Sequence, residues 1–212
     1  MRRKNEILTT REYHAVLVAA LFAVGRREEA AEFVEHGIRS DRLPRRLFEE
    51  LFLHLSLLLG FPSMLDGLAR LREISSVDTK HRRGIQESEK SVKNRGEKTF
   101  ARIYGKTTDR LIANLGALHE SVPSVIVRDA YGRIISRRGM SLGEREIVNV
   151  VVLSIQKLDR QLFSHLRGAL RAGVRPATLR SAIILGSRKA GTIPRTALKM
   201  LSVLTPSGQR HR

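Results

Sequence analysis

This chain of 212 residues matches itself without a gap when it is shifted by 132 residues. The aligned landmarks are two helix-start sequences and two pairs of prolines: residues 9–12 on 141–144, Pro44 on Pro176, and Pro62 on Pro194. Apolar positions agree at the same offset, for example Val16 with Val148 and Leu47 with Leu179. A repeat of this kind indicates a duplicated structural unit, so we expect the fold to be built twice.

The polar residues of the two halves do not match. The mismatched pairs are Glu146 on His14, His165 on Phe33, Glu50 on Ala182 and His54 on Gly186. Each half therefore keeps polar side chains that the other half lacks. We hypothesise that the two incomplete sets meet in one composite site.

Composition and periodicity predict an all-α fold. Hydrophobic residues make up 42% of the chain but aromatic residues only 5%, with no Trp, which favours packed helices of Leu, Ala, Ile and Val. Capping boxes at Thr9 and Ser141 open two of the predicted helices. The predicted helices cover 9–24, 28–38, 44–59, 63–74, 100–104, 109–119, 123–131, 142–157, 159–172, 176–187 and 194–204.

The same patterns predict the domain organisation. Residues 1–74 form the first, degenerate repeat, and residues 96–204 form the second repeat with an N-terminal extension. Residues 75–95 are polar and carry both charge signs, which indicates a linker or a solvated helix. We predict a turn-rich basic loop from Gly132 to Gly139 and a disordered tail at 205–212.

The absence of cysteine excludes disulfides, thiolate metal sites and thiol peroxidase chemistry. The histidines show no metal-ligand spacing, so we expect neither a metal nor an organic cofactor. The first residues show no secretory signal, and the longest apolar run, 51–59, is shorter than the roughly 20 residues of a membrane span. We therefore expect a cytoplasmic protein with no membrane partner.

A formal net charge of +18 creates a positive field around the chain. Such a field attracts nucleic acid, anionic lipid headgroups or acidic metabolites. The alternative is that the basic residues are spread over solvated helix faces and keep the protein soluble. The sequence leaves both interpretations open.

Two pairs of residues could carry acid-base chemistry. Glu146 and His165 lie on neighbouring predicted helices, and a carboxylate that orients an imidazole makes a general acid or base. Glu50 and His54 are four residues apart and share one helix face. The alternatives are a hydrogen-bonded core histidine for the first pair and a local helix-stabilising contact for the second.

Three arginines could bind an anionic substrate. Arg133, Arg137 and Arg138 lie in the predicted basic loop, and their planar guanidinium groups suit a carboxylate or a phosphate. The alternative is an exposed basic loop without a ligand.

Three segments carry a resemblance to a known family. They are the approach 130–146 to the second capping box, His165-Leu-Arg-Gly-Ala-Leu-Arg-Ala-Gly173, and the helix from Glu50 and His54 to Gly60-Phe-Pro62. Together they resemble the carboxymuconolactone decarboxylase superfamily, which also contains alkylhydroperoxidase D. The resemblance implies tandem helical repeats packed as a pseudo-dimer and a homo-oligomer of the trimer or hexamer type.

The resemblance also implies an activity. The peroxidase branch uses a Glu, a Cys-x-x-Cys pair and a His, but Leu158 and Gln161 occupy the cysteine positions here, so peroxidase activity is not expected. The decarboxylase branch implies a cofactor-free lyase that acts on a small acidic lactone. Its implied catalytic residues are His165, Glu146, His54 and Glu50, and its implied substrate-binding residues are Arg133, Arg137 and Arg138. The alternative is a catalytically degenerate helical scaffold that binds nucleic acid or an acidic metabolite.

Overall fold

The structure is a computed structural model that describes residues 7–75 and 87–206. These residues are all-helical and contain no strand, which confirms the predicted all-α class. Residues 207–212 of the predicted tail and residues 76–86 of the predicted linker lie outside the described residues.

The helices follow in chain order. Those of the first repeat are α1 (Thr10–Ala23), α2 (Arg27–Arg39) and α3 (Arg45–Ile74). The segment between these helices and the second capping box, which we call the insertion, contains α4 (Glu89–Tyr104), α5 (Thr108–Leu118) and α6 (Val125–Ile135). Helix α6 is a π-helix that follows one helical turn. Those of the second repeat are α7 (Leu142–Ile155), α8 (Asp159–Arg171), α9 (Pro176–Ala190) and α10 (Arg195–Leu204).

The duplication is visible in the backbone. Helices α1 and α7 have 14 residues each and helices α2 and α8 have 13, and each pair starts at the predicted offset. Both predicted capping boxes form, at Thr9 and at Ser141. Gly25 and Lys157, at equivalent positions after α1 and α7, both adopt a positive φ. The two halves therefore share their helix starts and their turn geometry.

The third helix is interrupted where the sequence predicts a separation between two helices. Residues Arg45–Ile74 are two helices that join in a kink at Gly60, where φ is 80° and ψ is 168°, so the predicted separation at Gly60 and Pro62 is confirmed, and we call the whole span α3. Only glycine adopts this conformation without strain, and Pro62 can then start a new helical turn because its first-turn N–H needs no partner. In the second repeat the corresponding place is a true break between α9 and α10.

The two repeats share one hydrophobic core. Helices α1 and α7 contact each other at its centre, and α9 packs against both. Val148 and Val152 of α7 belong to the cluster built mainly from α1, α2 and α3, while Val16 and Ala20 of α1 belong to the cluster built from α7, α8 and α9. Neither repeat therefore buries its apolar face alone.

Helix α3 has the length and the apolar composition of a membrane-spanning helix. The sequence prediction considered only the apolar run 51–59, which His54 and Ser56 interrupt. A single such helix is weak evidence for a span because core helices pass the same criterion. The first half of α3 is largely buried here, including Glu50 and His54.

Helices α4 and α6 of the insertion cross each other closely. Helix α4 begins at Glu89, inside the segment predicted as a linker. The prediction of a turn-rich loop from Gly132 to Gly139 is wrong at its start, because Gly132 lies inside α6. A Cβ atom on Gly132 would lie 2.4 Å from the carbonyl oxygen of Val92, so this glycine serves a close helix approach rather than a turn.

The crossing gives a stability prediction for Gly96→Ala. A Cβ atom on Gly96 would lie 2.0 Å from the carbonyl oxygen of Val127, and backbone cannot move aside as a flexible side chain can. We expect the free energy of unfolding to fall by about 1–3 kcal/mol in urea denaturation. The control is Gly116→Ala, where the nearest atom is 3.7 Å away, and we expect it to stabilise the protein by about 0.5–1 kcal/mol. Equal effects of the two substitutions would contradict the observed crossing.

Candidate acid-base site

Glu146 and His165 form a hydrogen-bonded pair between α7 and α8. The distance from His165 Nδ1 to Glu146 Oε2 is 2.9 Å. The Glu146 side chain is fully buried, whereas 17% of the His165 side chain is exposed. Gly168 makes room for the carboxylate, because a Cβ atom there would lie 3.0 Å from Glu146 Oε2. The structure therefore brings together the first of the two predicted pairs.

Asn149 connects this pair to His54 of α3. Its Nδ2 donates to Glu146 Oε1 at 3.3 Å, and its Oδ1 accepts from His54 Nε2 at 2.8 Å. Because the carboxylate can only accept, we assign a proton to His165 Nδ1, which donates to Glu146. His165 Nε2 then remains free for a substrate, since it makes no hydrogen bond with the residues that the structure describes.

His54 is held in its neutral form. Burial lowers its pKa to about 3, and the positive charge of Arg145 acts in the same direction. Its Nε2–H donates to Asn149, so Nδ1 carries the lone pair of the neutral ring. Nδ1 is buried and makes no hydrogen bond within the described residues. His54 therefore positions Asn149 and does not itself gain a proton near neutral pH.

Glu50 is held between two arginines. Arg137 donates to its carboxylate from Nε at 3.0 Å and from Nη2 at 2.9 Å. Arg145 of α7 donates from Nη2 at 3.0 Å. Glu50 and Arg145 are both buried, while 44% of the Arg137 side chain is exposed. Glu50 thus pairs with arginines across the repeats rather than with His54 along its own helix.

The buried guanidinium of Arg145 has unused hydrogen-bonding capacity. Nη2 donates to Glu50 and to the carbonyl oxygen of Arg137, but Nε and Nη1 are buried without a partner among the described residues. Buried donors are almost always paired, so these two groups favour an acceptor oxygen close to them. Arg145 could therefore stabilise negative charge beside the acid-base pair.

Sequence reasoning missed Arg145 and Asn149. A signal was present, because both are polar residues on the same predicted helix as Glu146. They align with Tyr13 and Leu17 of the first repeat, so they follow the same mismatch as Glu146. Extending that comparison to every polar residue of α7 would have found them.

The three predicted substrate-binding arginines are not brought together. Arg137 contacts Glu50 and lies at the site. Arg133 instead pairs with Asp129 and Glu89 at the surface, because α6 carries it away from α3. Arg138 is exposed, and its carbonyl oxygen accepts a hydrogen bond from Arg46 at 3.5 Å.

The equivalent position in the first repeat is occupied differently. His14, which aligns with Glu146, is buried and contacts Asp41 at 2.7 Å and the carbonyl oxygen of Phe33 at 2.9 Å. Ala182 and Gly186 are also buried, and a Cβ atom on Gly186 would lie 2.5 Å from Val151. Small residues let α9 pack closely there, which leaves no room for side chains like Glu50 and His54. Among the described residues, the polar cluster that joins the two repeats is therefore present at one of the two equivalent places and absent from the other.

The buried neutral His54 makes stability depend on pH. Because its pKa is lower in the folded protein than its ordinary value of 6.5, the unfolded chain binds more protons between about pH 6.5 and pH 3. The contribution of neutral His54 to the free energy of unfolding is fully present above pH 6.5 and is lost as the pH falls toward 3. We expect it to fall by about 2 kcal/mol between pH 7 and pH 5.

Urea denaturation at pH 7 and pH 5 measures how much the free energy of unfolding falls with pH. The matched variant is His54→Gln, whose amide can still donate to Asn149 but does not titrate. Its free energy of unfolding should fall less than that of the wild type over the same pH range. Equal losses in the two proteins would show that His54 does not carry the effect.

Comparison with known proteins gives a distant relationship. No protein-family model matches the chain. A protein of Schizosaccharomyces pombe called peroxisomal protein 2 is 25% identical over 86% of this chain and 87% of its own length. A Saccharomyces cerevisiae protein of the same name is 25% identical over 59% of this chain. The matched region covers about half of that relative's own length (54%). The shared name gives a location for those two proteins and no reaction.

Proposed function

We propose that the protein is a carboxymuconolactone decarboxylase-like enzyme. Its substrate class is a small acidic lactone, and its reaction is a cofactor-free decarboxylation or a related lyase reaction. The observation that carries this proposal is the Glu146–His165 pair with a free His165 Nε2. Asn149 ties this pair to His54 from the other repeat.

The mechanism follows from the charges of the cluster. Arg137, which is partly exposed, binds the substrate carboxylate, and the charge of buried Arg145 favours negative charge that develops in the site. Breaking the bond to the carboxylate releases carbon dioxide and leaves its electron pair in the conjugated lactone as an enolate. His165, protonated and oriented by Glu146, donates a proton to the enolate carbon and regains one from water.

Tandem repeat packing as a pseudo-dimer is part of the same proposal. The matching helix starts and the central contact between α1 and α7 support it. A homo-oligomer is the expected assembly, and the exposed side chains of Phe61 and Leu65 supply apolar surface for it. Light scattering during size-exclusion chromatography tests this part, and a monomer at all concentrations would refute it.

The activity is tested by measuring carbon dioxide release and ultraviolet change together. The substrate is a carboxymuconolactone-type acid, and its methyl ester is the matched control because an ester cannot lose carbon dioxide. Identically purified His165→Gln protein controls for contaminating host enzymes. Release of one carbon dioxide per lactone by the wild type alone supports the proposal. No release from a panel of acidic lactones would overturn it.

A noncatalytic scaffold for an anionic partner is the second candidate. The net charge of +18 supports it, since it favours binding to nucleic acid or to acidic metabolites. Electrophoretic mobility shifts over a salt series test this candidate. Nucleic-acid binding predicts a steep fall in affinity with salt, whereas a small acidic substrate gives a shallow one.

The location of the protein also stays a prediction. The sequence indicates a cytoplasmic protein, whereas the name of the two relatives favours the peroxisome. Imaging of the tagged full chain beside a peroxisomal marker separates the two. Punctate fluorescence that overlaps the marker would refute the cytoplasmic prediction.

A further inference from the structure

A small cleft lies between the end of α4, helix α5 and helix α8. Its cavity volume is about 110 Å³. Three guanidinium groups line it, from Arg110, Arg167 and Arg171, together with the polar side chains of Asn114 and Ser164. We call this feature the arginine cleft. None of these five residues belongs to the acid-base site described above.

The positive charge of the arginine cleft is not neutralised. No carboxylate lines the cavity, and none pairs with Arg110, Arg167 or Arg171 within the described residues. Tyr104 also lines the cavity, but burial raises the pKa of its hydroxyl to about 12, so it stays neutral. Elsewhere arginines such as Arg70 and Arg95 pair with carboxylates. The three arginines of the cleft, in contrast, make no ion pair with the residues that the structure describes.

The three guanidinium groups are arranged at an energetic cost. Arg167 and Arg171 are four residues apart on α8, where like charges repel. Arg171 is fixed in place, since its Nη1 donates to the carbonyl oxygens of Ile103 at 3.2 Å and Tyr104 at 2.6 Å. Its Nη2 and Nε make no hydrogen bond with the described residues, so they are available to a ligand. An anion bound in the cleft would offset the repulsion between these groups.

We propose that the arginine cleft binds the phosphate group of a small phosphorylated molecule. Three guanidinium groups suit the double negative charge and the several acceptor oxygens of a phosphate better than a single carboxylate. The cavity has room for a group of that size, and the amide of Asn114 adds a neutral donor to its lining. The cleft shares no residue with the acid-base pair, since His165 on the same helix contacts Glu146 of α7.

Titration calorimetry at constant ionic strength tests the site with inorganic phosphate and then with glycerol 3-phosphate. The variants are Arg110→Gln and Arg167→Gln. The matched control is Arg180→Gln, which removes an exposed arginine of α9 outside the cleft. Affinity should fall by about tenfold in each cleft variant and stay unchanged in the control. Thermal melting verifies that all three proteins fold, which is expected because each substitution removes charge repulsion or an exposed charge.

Two outcomes would overturn the proposal. Equal weakening in the cleft variants and in Arg180→Gln would assign binding to the general positive field of the protein. No phosphate binding by the wild type would leave the cleft without this role. A separate experiment with phosphatidate vesicles distinguishes a soluble phosphorylated molecule from a lipid headgroup as the ligand. Competition by glycerol 3-phosphate for cleft binding supports a soluble ligand, whereas binding to the vesicles alone refutes the small-molecule proposal.

Discussion

The His165→Gln protein is expected to show a kcat about 10²–10⁴-fold below that of the wild type on any lactone that the wild type decarboxylates. Glutamine fills a similar volume and can still contact Glu146, but it cannot deliver a proton to the enolate carbon. Because Glu146 is buried and hydrogen-bonded to His165 at 2.9 Å, this imidazole is the group poised for that step. Steady-state kinetics with the two proteins measures the loss.

The control for this prediction is His119→Gln. His119 is an exposed histidine just beyond α5 whose Nδ1 accepts from a backbone N–H. We expect its kcat to be unchanged. Glu146→Gln keeps the shape of the pair but removes the negative charge, so it should lower kcat as well. A His165→Gln enzyme with wild-type kcat would remove His165 from the mechanism.

The Glu50→Leu protein is expected to lose about 3–5 kcal/mol of free energy of unfolding. The substitution leaves the Arg145 guanidinium buried without its carboxylate. Arg145 already has two unpaired donors, so the protein around it offers no replacement partner among the described residues. Urea denaturation monitored by circular dichroism measures the change.

Two further variants isolate the buried charge. Arg137→Gln removes the partly exposed partner and leaves the Glu50–Arg145 pair in place, so its cost should be about 1 kcal/mol or less. Glu50→Leu combined with Arg145→Met removes both charges and should recover most of the stability. A double variant as unstable as Glu50→Leu would show that packing, and not the buried charge, causes the loss.

Much of this architecture can be read from the sequence because its signals are local. The capping boxes at Thr9 and Ser141 fix helix starts through hydrogen bonds within one turn. The offset of 132 residues then carries over to the helix bounds of the second repeat. The mismatch at Glu50 and Glu146 also identified which helices hold polar groups.

The sequence by itself therefore determined the helical class, and it predicted the duplication and the approach of Glu146 to His165, since each depends on spacing along one chain. Only the tertiary structure decided that Asn149 bridges to His54, because that contact joins residues 95 positions apart. It also decided that Arg137 reaches Glu50 while Arg133 pairs with Glu89. Long side chains of one charge look alike in sequence, and the folded backbone alone selects which carboxylate each one meets.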